Sequence, residues 1–387
     1  MKVLFYLPVI TPWWFENIVA PMIRRVSAEA EVTVLAPAPW SGTGIGPAEL
    51  ERLADLPQIR WCLIEGEDHR SYRTRPADPD GLAGFVADLQ PDYVICRSAD
   101  RDTPRRFPGK VRFLMEGGVA PYPLPSQWVW LAEDLFDHGE MPDLDTDQRA
   151  ELTGWLRPLA DRLRARIARA AYRPDDFNWP DDVPRLLMPI EYAHHENFFP
   201  MHRPGPEAND ALILHIAQQL RGRAFVTLAN HPLNDLHLGR GTLMAAVAAT
   251  RGQMAMLPEC RDAPSASERA AAVVDAMIVG DSKAFGVAAF LGLPFARLSR
   301  FKTASWLNAY PALDPLIADL KRGRARSPSP EDALAWAAFH IANNAFDPAD
   351  PQLGLADIVD RIDRPVAPER WAAGMARLDA VLMESAA

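Results

Sequence analysis

The densest collection of titratable side chains is Glu191, His194, His195 and Glu196, in the run Glu191-Tyr-Ala-His-His-Glu-Asn-Phe-Phe-Pro200. Histidine changes charge near neutral pH and a carboxylate serves as base or nucleophile, so this run suits acid/base or covalent chemistry. Adjacent histidines lack the i, i+4 spacing of a helical metal site, so no zinc is expected there. A second candidate is Asn230-His231-Pro232, which ends the apolar run Phe225-Val-Thr-Leu228. Proline has no N–H to extend a strand ladder, so His231 should stand at a strand's carboxyl end, where open α/β sheets receive phosphates and leaving groups. The alternative is a histidine that only caps a turn.

Three further stretches carry chemistry. Gly280-Asp-Ser-Lys283 follows the apolar run Ala276 to Val279 and opens a helix over Ala284 to Leu291, so Ser282 as N-cap beside Lys283 forms an anion site, although capping alone also explains Ser282. Met115-Glu116-Gly-Gly118 puts a carboxylate before open glycine backbone, making Glu116 a candidate base or nucleophile. Trp13 and Trp14 follow the first strand and suit a sugar face, the other reading being core or domain interface.

These residues need a scaffold with strand ends at one edge. Val3 to Leu7, Glu31 to Leu35, Ile59 to Ile64, Tyr93 to Cys96 and Val111 to Met115 read as short buried strands, with a helix opening at Thr11-Pro12 whose stripe is Ile18, Met22 and Val26. The second half repeats the alternation through strands ending at His231, Leu257, Val279 and Leu298. The expected class is α/β, with two Rossmann-like domains. Residues 1–185 form the first domain, 186–206 a proline-rich connector, 207–365 the second, and 366–387 a terminal helix reaching back over the first.

Some motifs fail on inspection. Gly42-Thr-Gly-Ile-Gly46 matches neither GxGxxG nor a P-loop and reads as a flexible loop. Asp143-Leu-Asp-Thr-Asp147 lacks the glycine and glutamate of an EF-hand, with Gln148 and Gly154 in their places, so these aspartates should cap the helix from about Gln148 to Tyr172. That helix carries Arg157, Arg162, Arg164, Arg166, Arg169 and, just beyond it, Arg173, a solvated face or a surface for anions or acidic membrane.

A net charge of -10 argues against a nucleic-acid partner. Cys62, Cys96 and Cys260 have no CxxC spacing, so neither a disulfide framework nor a zinc site is indicated. No apolar run reaches the length of a membrane span, so the expected location is cytoplasmic, with at most peripheral contact at the inner membrane.

Together these stretches resemble the GT-B glycosyltransferases that use CMP-activated acidic sugars, a group with two Rossmann-like domains facing a central cleft. Leu186-Leu-Met-Pro-Ile-Glu-Tyr192, Glu196-Asn-Phe-Phe199, Ala229-Asn-His-Pro232 and Val279-Gly-Asp-Ser282 look most like the Kdo transferases, and Val3 to Trp14 like their retaining β-Kdo branch. The resemblance implies a CMP-Kdo donor, a lipid-linked or oligosaccharide acceptor in surface-polysaccharide synthesis, and no cofactor or metal. It puts the donor phosphate on His231 and Ser282, with Asn230 and Lys283 beside them. Glu196 is then the first choice of carboxylate nucleophile and Glu116 the second, with His195 catalytic and Trp13, Trp14 and His194 as sugar contacts. Glu116 stands where sialyltransferases place the acid of a D/E-D/E-G motif, with Met115 in place of its first acid. Rival readings are a GT-B enzyme using a UDP- or other diphosphate sugar, a sugar-nucleotide epimerase, and a non-catalytic sugar-nucleotide-binding subunit.

Overall fold

A computed structural model describes residues 1–66, 69–173, 179–180, 182–258, 260 and 263–384. The last three positions of the expected terminal segment 366–387 lie outside them. The α/β class and the pair of Rossmann-like units expected from the sequence are what the structure has.

The first sheet contains β1 (Lys2–Tyr6), β2 (Glu31–Pro37), β3 (Arg60–Ile64), β4 (Tyr93–Cys96), β5 (Lys110–Glu116) and β6 (Val129–Ala132), in the order β3-β2-β1-β4-β5-β6. All neighbours are parallel except β5 and β6. A continuous apolar strand belongs where both faces are covered, and β1 is central, with Val3, Leu4, Phe5 and Tyr6 all buried. The following helix opens on Thr11, whose hydroxyl accepts the Trp14 N–H at 3.3 Å, and passes through a π turn at Phe15–Val19 before Ala20–Val26. Ile18, Met22 and Val26 are fully buried against the sheet. The antiparallel β6 is not anticipated by the sequence: it is four residues long, and its partners are β5 and a reciprocal backbone pairing of Val129 with Phe346, far along the chain.

The second sheet contains β7 (Arg185–Pro189), β8 (Phe225–Ala229), β9 (Met254–Met256), β10 (Ala276–Val279) and β11 (Phe295–Arg297), all parallel, in the order β11-β10-β7-β8-β9. Numbered within its own unit, that order is the same as β1 to β5. In both sheets it reverses beside the first strand, between β1 and β4 and between β7 and β10, which are the topological switch points.

Two expected boundaries change. The segment 186–206, expected as a connector, includes β7, the middle strand of the second sheet; its proline, Pro189, sits at the strand's last position, where a missing N–H costs least. The helix Thr146–Ala170 belongs with the second unit instead of the first. It packs on the helix Pro330–Phe339, and Arg157 forms a bidentate pair with Glu331 at 2.8 and 3.0 Å. The compact units are Met1–Gly118, Leu124–Asp137 and His340–Ala387 for the first, and Val119–Pro123 and His138–Phe339 for the second.

The glycine loop after β2 is held, not flexible. Gly44 donates to the Ile10 carbonyl and Ile45 to that of Pro37, while the fully buried Arg73 donates to the carbonyls of Ala38 and Thr43. Gly44 has φ +108°, and a Cβ there would lie 2.4 Å from the Ala38 oxygen, so the position requires glycine.

Candidate functional site

In the second unit the side chains converge from the carboxyl ends of β7 and β8. The buried strand β8 ends at Ala229, and His231 caps the helix Pro232–His237, which the sequence reading missed by treating Pro232 only as a strand stop. Proline at the first helical position is also a start signal. The His231 Nδ1 accepts the Leu233 N–H at 3.2 Å, so the ring's proton-bearing nitrogen is Nε2. Asn234, 1 % exposed, ties this helix to β7: its amide donates to the Glu191 carbonyl at 2.9 Å and to the Asn230 side chain at 3.1 Å, and its oxygen accepts the Ala193 N–H at 3.0 Å. Asn230 in turn donates to Asp235 at 2.7 Å, and Asp235 is gripped through both oxygens by Arg240.

This framework gathers two imidazoles on one phenol and two more on the first of them. Tyr192 stacks on His194 with ring centroids 5.7 Å apart and meets His231 at 5.5 Å. His194 lies 3.9 Å from His195 and 5.7 Å from His237. The Tyr192 hydroxyl donates to Glu196 Oε1 at 3.0 Å, and Glu196 Oε2 is 3.6 Å from His194 Nδ1. Burial, then the Glu196 contact, pushes the phenol's pKa up, so it remains a donor to that carboxylate. His194, His195, Glu196 and His231 are therefore brought together, with Asn230 bonded directly beneath.

Ser282 and Lys283 stand apart from that group. They follow β10, which β7 separates from β8, so the two strand ends lie about 10 Å apart at ordinary strand spacing and are not neighbours. The helix starts at Phe285, and the Ser282 hydroxyl accepts the Ala284 N–H at 3.0 Å, closing a turn before the helix instead of capping it.

A charged network stands at the switch point between β7 and β10, and of its members only Glu191 was a candidate from the sequence. Glu191 accepts the Asp281 N–H at 2.8 Å and is paired with Arg203 at 2.9 Å. A Cβ on Gly280 would sit 2.2 Å from the Glu191 carboxylate, so glycine is what admits that carboxylate. Asp281 accepts from Ser299 at 2.5 Å and from Arg297 at 3.2 Å. Burial pushes its pKa up to about 6, opposed by Ser299 and Arg297 and aided by Glu191.

The remaining candidates lie in the first unit. Trp13 is 44 % exposed, but Trp14 is 8 % exposed and lies under the Arg97 guanidinium, 3.8 Å from its ring centre, so Trp14 is a core residue, not an open sugar platform. Glu116, at the end of β5, has Oε1 3.6 Å from Arg97 Nη2. The backbone of Gly117 is occupied: its N–H donates to the Trp128 carbonyl at 2.7 Å, and its carbonyl accepts from His340 Nε2 at 3.1 Å. The openness expected from two glycines is thus absent at the first of them.

Among the described residues, no group of three or more His, Cys, Asp or Glu side chains is arranged to hold a metal ion, and no helix is long and apolar enough to cross a membrane. The fold and site define a two-unit α/β protein of repeated Rossmann-like order. No family model and no curated protein matches the chain. Solved structures similar to it include two β-Kdo transferases of KpsC from Thermosulfurimonas dismutans. The 2,7 transferase is 12 % identical over 76 % of this chain and 87 % of its own, with a TM-score of 0.40. The 2,4 transferase is 13 % identical over 94 % and 98 %, also at 0.40. The UDP-GlcNAc 2-epimerase of Neisseria meningitidis is 12 % identical over 87 % and 97 %, with a TM-score of 0.32.

Proposed function

We propose that this chain is a GT-B glycosyltransferase that transfers Kdo or a related acidic sugar from a CMP donor to a lipid-linked or oligosaccharide acceptor, in the cytoplasm or at the inner membrane's cytoplasmic face. The observation that supports it is the convergence of Glu196, His194 and His231 on Tyr192, with His195 against His194, at the carboxyl ends of β7 and β8. That edge of an open α/β sheet is where a nucleotide ligand binds.

In this reading His231 donates from Nε2 to the phosphate of the donor, with Asn230, Ser282 and Lys283 along the same sheet edge. The bond between the anomeric carbon and the phosphate oxygen breaks, CMP leaves as a phosphate monoester, and donors already in place meet the charge that develops on it. Glu196 supplies the carboxylate oxygen that bonds to the anomeric carbon. The acceptor hydroxyl then displaces that carboxylate with loss of its proton, giving net retention. The Tyr192 hydrogen bond orients Glu196 for this step, and His195 takes the proton. Glu116 is the second choice of nucleophile.

Incubation of the purified protein with CMP-Kdo and a saccharide acceptor, with CMP release followed over time, tests the reaction. Thermal-shift titration with CMP, UDP and GDP tests the donor: stabilisation by CMP is expected, and stabilisation by UDP alone rejects it.

A further inference from the structure

At the switch point of the first sheet one buried cation separates an aromatic ring from an acid. Arg97 follows β4 directly; its N–H donates to the Tyr6 carbonyl at 2.9 Å and its own carbonyl accepts the Val9 N–H at 3.1 Å, so its backbone is fixed to the end of β1 and to the loop that follows it. Its guanidinium lies on the Trp14 ring, Nη1 donates to the Leu114 carbonyl at 3.3 Å, and Nη2 faces Glu116. The exposures differ sharply: 8 % for the Arg97 side chain and 36 % for that of Glu116. The arginine is thus a built-in part of the wall, and the carboxylate is the part that solvent and ligands meet.

We propose that Arg97 is a positioning residue that holds Glu116 ionised and aimed outward at the carboxyl edge of the first sheet, with Trp14 as the surface that keeps the guanidinium in place. The inference rests on the reading of Glu116 as a carboxylate of the functional site. The physical reason is proximity in a poorly screened setting: an opposite charge within about 4–6 Å favours the ionised form of a carboxyl. Tyr6 and Cys96 are held protonated by burial, and Asp100 is an acid whose Oδ1 accepts from the backbone of Asp102 and Thr103. His340, which donates to Gly117 beside Glu116, is held neutral, its pKa lowered by burial to about 4.

The test is a carboxyl-carbon NMR titration of protein labelled at the glutamate side-chain carboxyl, with the Glu116 signal identified by its loss in Glu116→Gln. In Arg97→Met, which keeps an apolar stem on Trp14, the Glu116 midpoint should rise by about one pH unit, the low end for an opposite charge because Glu116 is 36 % exposed. In Arg97→Lys, which keeps a charge, it should stay within about half a unit of the parent, and this variant also decides the matter should the methionine variant not fold. An unchanged midpoint in folded Arg97→Met, or a lysine variant that shifts by more than one unit, overturns the proposal. The pH profile of CMP release separates the two claims: if the NMR midpoint moves and the acidic limb of the profile does not, Arg97 positions Glu116 but Glu116 is not the reacting carboxylate.

Discussion

The two sheets share one strand order and differ in what stands at the switch point. In the first, Arg97 fills the gap beside β1 and faces a carboxylate that is one-third exposed. In the second, the chain closes the gap with acids and bases of its own: Glu191 bridges from β7 to the Asp281 N–H, Arg203 backs Glu191, and Arg297 backs Asp281. Topology selects the place where a ligand-sized crevice forms, and the side chains decide whether it is presented or sealed. In the second sheet the groups suited to a ligand are displaced one strand over, to His231 and the imidazole cluster beside β8.

The same substitution at both edges gives the largest contrast. Arg297 has a fully buried side chain, and Asp281 is 10 % exposed. Arg297→Met leaves Asp281 buried without its cation, and breaking such a pair from one side costs about 3–5 kcal/mol. Arg97→Met leaves behind a carboxylate that water can reach, so its cost should be smaller, about 1–2 kcal/mol. Urea denaturation of the two variants measures both, and equal losses would show that the edges are energetically alike. The next effect is on activity. His231→Ala should slow CMP release from CMP-Kdo by about 10²–10³-fold, since one lost transition-state donor costs about 2.7–4 kcal/mol, and should cost about 1 kcal/mol of stability through the lost N-cap, while Glu196→Gln, which removes the nucleophile, should slow release at least as much with the melting temperature nearly unchanged. Unchanged turnover in both would leave a binding subunit as the better reading.

A pH effect follows from Asp281. Its pKa is raised from 3.8 to about 6, so between those values the folded state holds a proton that the unfolded chain has lost. Stability from this group is therefore full below pH 3.8 and falls as pH rises through 6, by about 3 kcal/mol across the interval at 1.36 kcal/mol per unit. The stability difference between the parent protein and Asp281→Asn, measured from pH 4 to 7, should change by that amount in favour of the asparagine variant. A constant difference would mean that Asp281 titrates as an ordinary carboxylate. Arg297 is the counter-charge that limits the rise, so Arg297→Met should move the interval to higher pH.

Much of the scaffold was legible because apolar runs and proline breaks set strand ends locally. Val279 ends β10 where the run stops at Gly280, and Ala229 ends β8 ahead of Asn230. The helix Thr146–Ala170 likewise begins on Asp145, whose side chain and that of Gln148 form a capping box. What was not legible depends on strand order, which sequence spacing does not carry. The resemblance puts Ser282 and His231 on one phosphate, and only the pairing of β7 with both β8 and β10 shows that a strand stands between them. Arg203, Arg297 and Asn234 were missed for a related reason: each is a polar residue in a loop, a short helix or the last position of a three-residue strand, and what makes it important is burial against a partner 12 to 43 residues away. His194, His195, Glu196 and His231 were found since three of them are contiguous and the fourth carries a proline.

The adjacent tryptophans allow the smallest test, and it concerns the open edge of the first sheet. Their different exposures follow from helix geometry: one position's shift on the first turn rotates a side chain by about 100°, which turns Trp14 onto Arg97 and leaves Trp13 outward. Trp14→Ala would remove a buried ring and the support of Arg97. Trp13→Ala removes an exposed one whose residue is tied to the fold mainly by the Asn17 side chain donating to its carbonyl, a bond that alanine keeps. The expected stability change for Trp13→Ala is within about 0.5 kcal/mol. If the first sheet presents a sugar surface, the same substitution should raise KM for a saccharide acceptor several-fold while leaving the thermal shift with CMP unaltered, because an exposed ring contributes stacking area without holding the fold. An unchanged acceptor KM would assign the sugar surface to the imidazole cluster of the second unit alone.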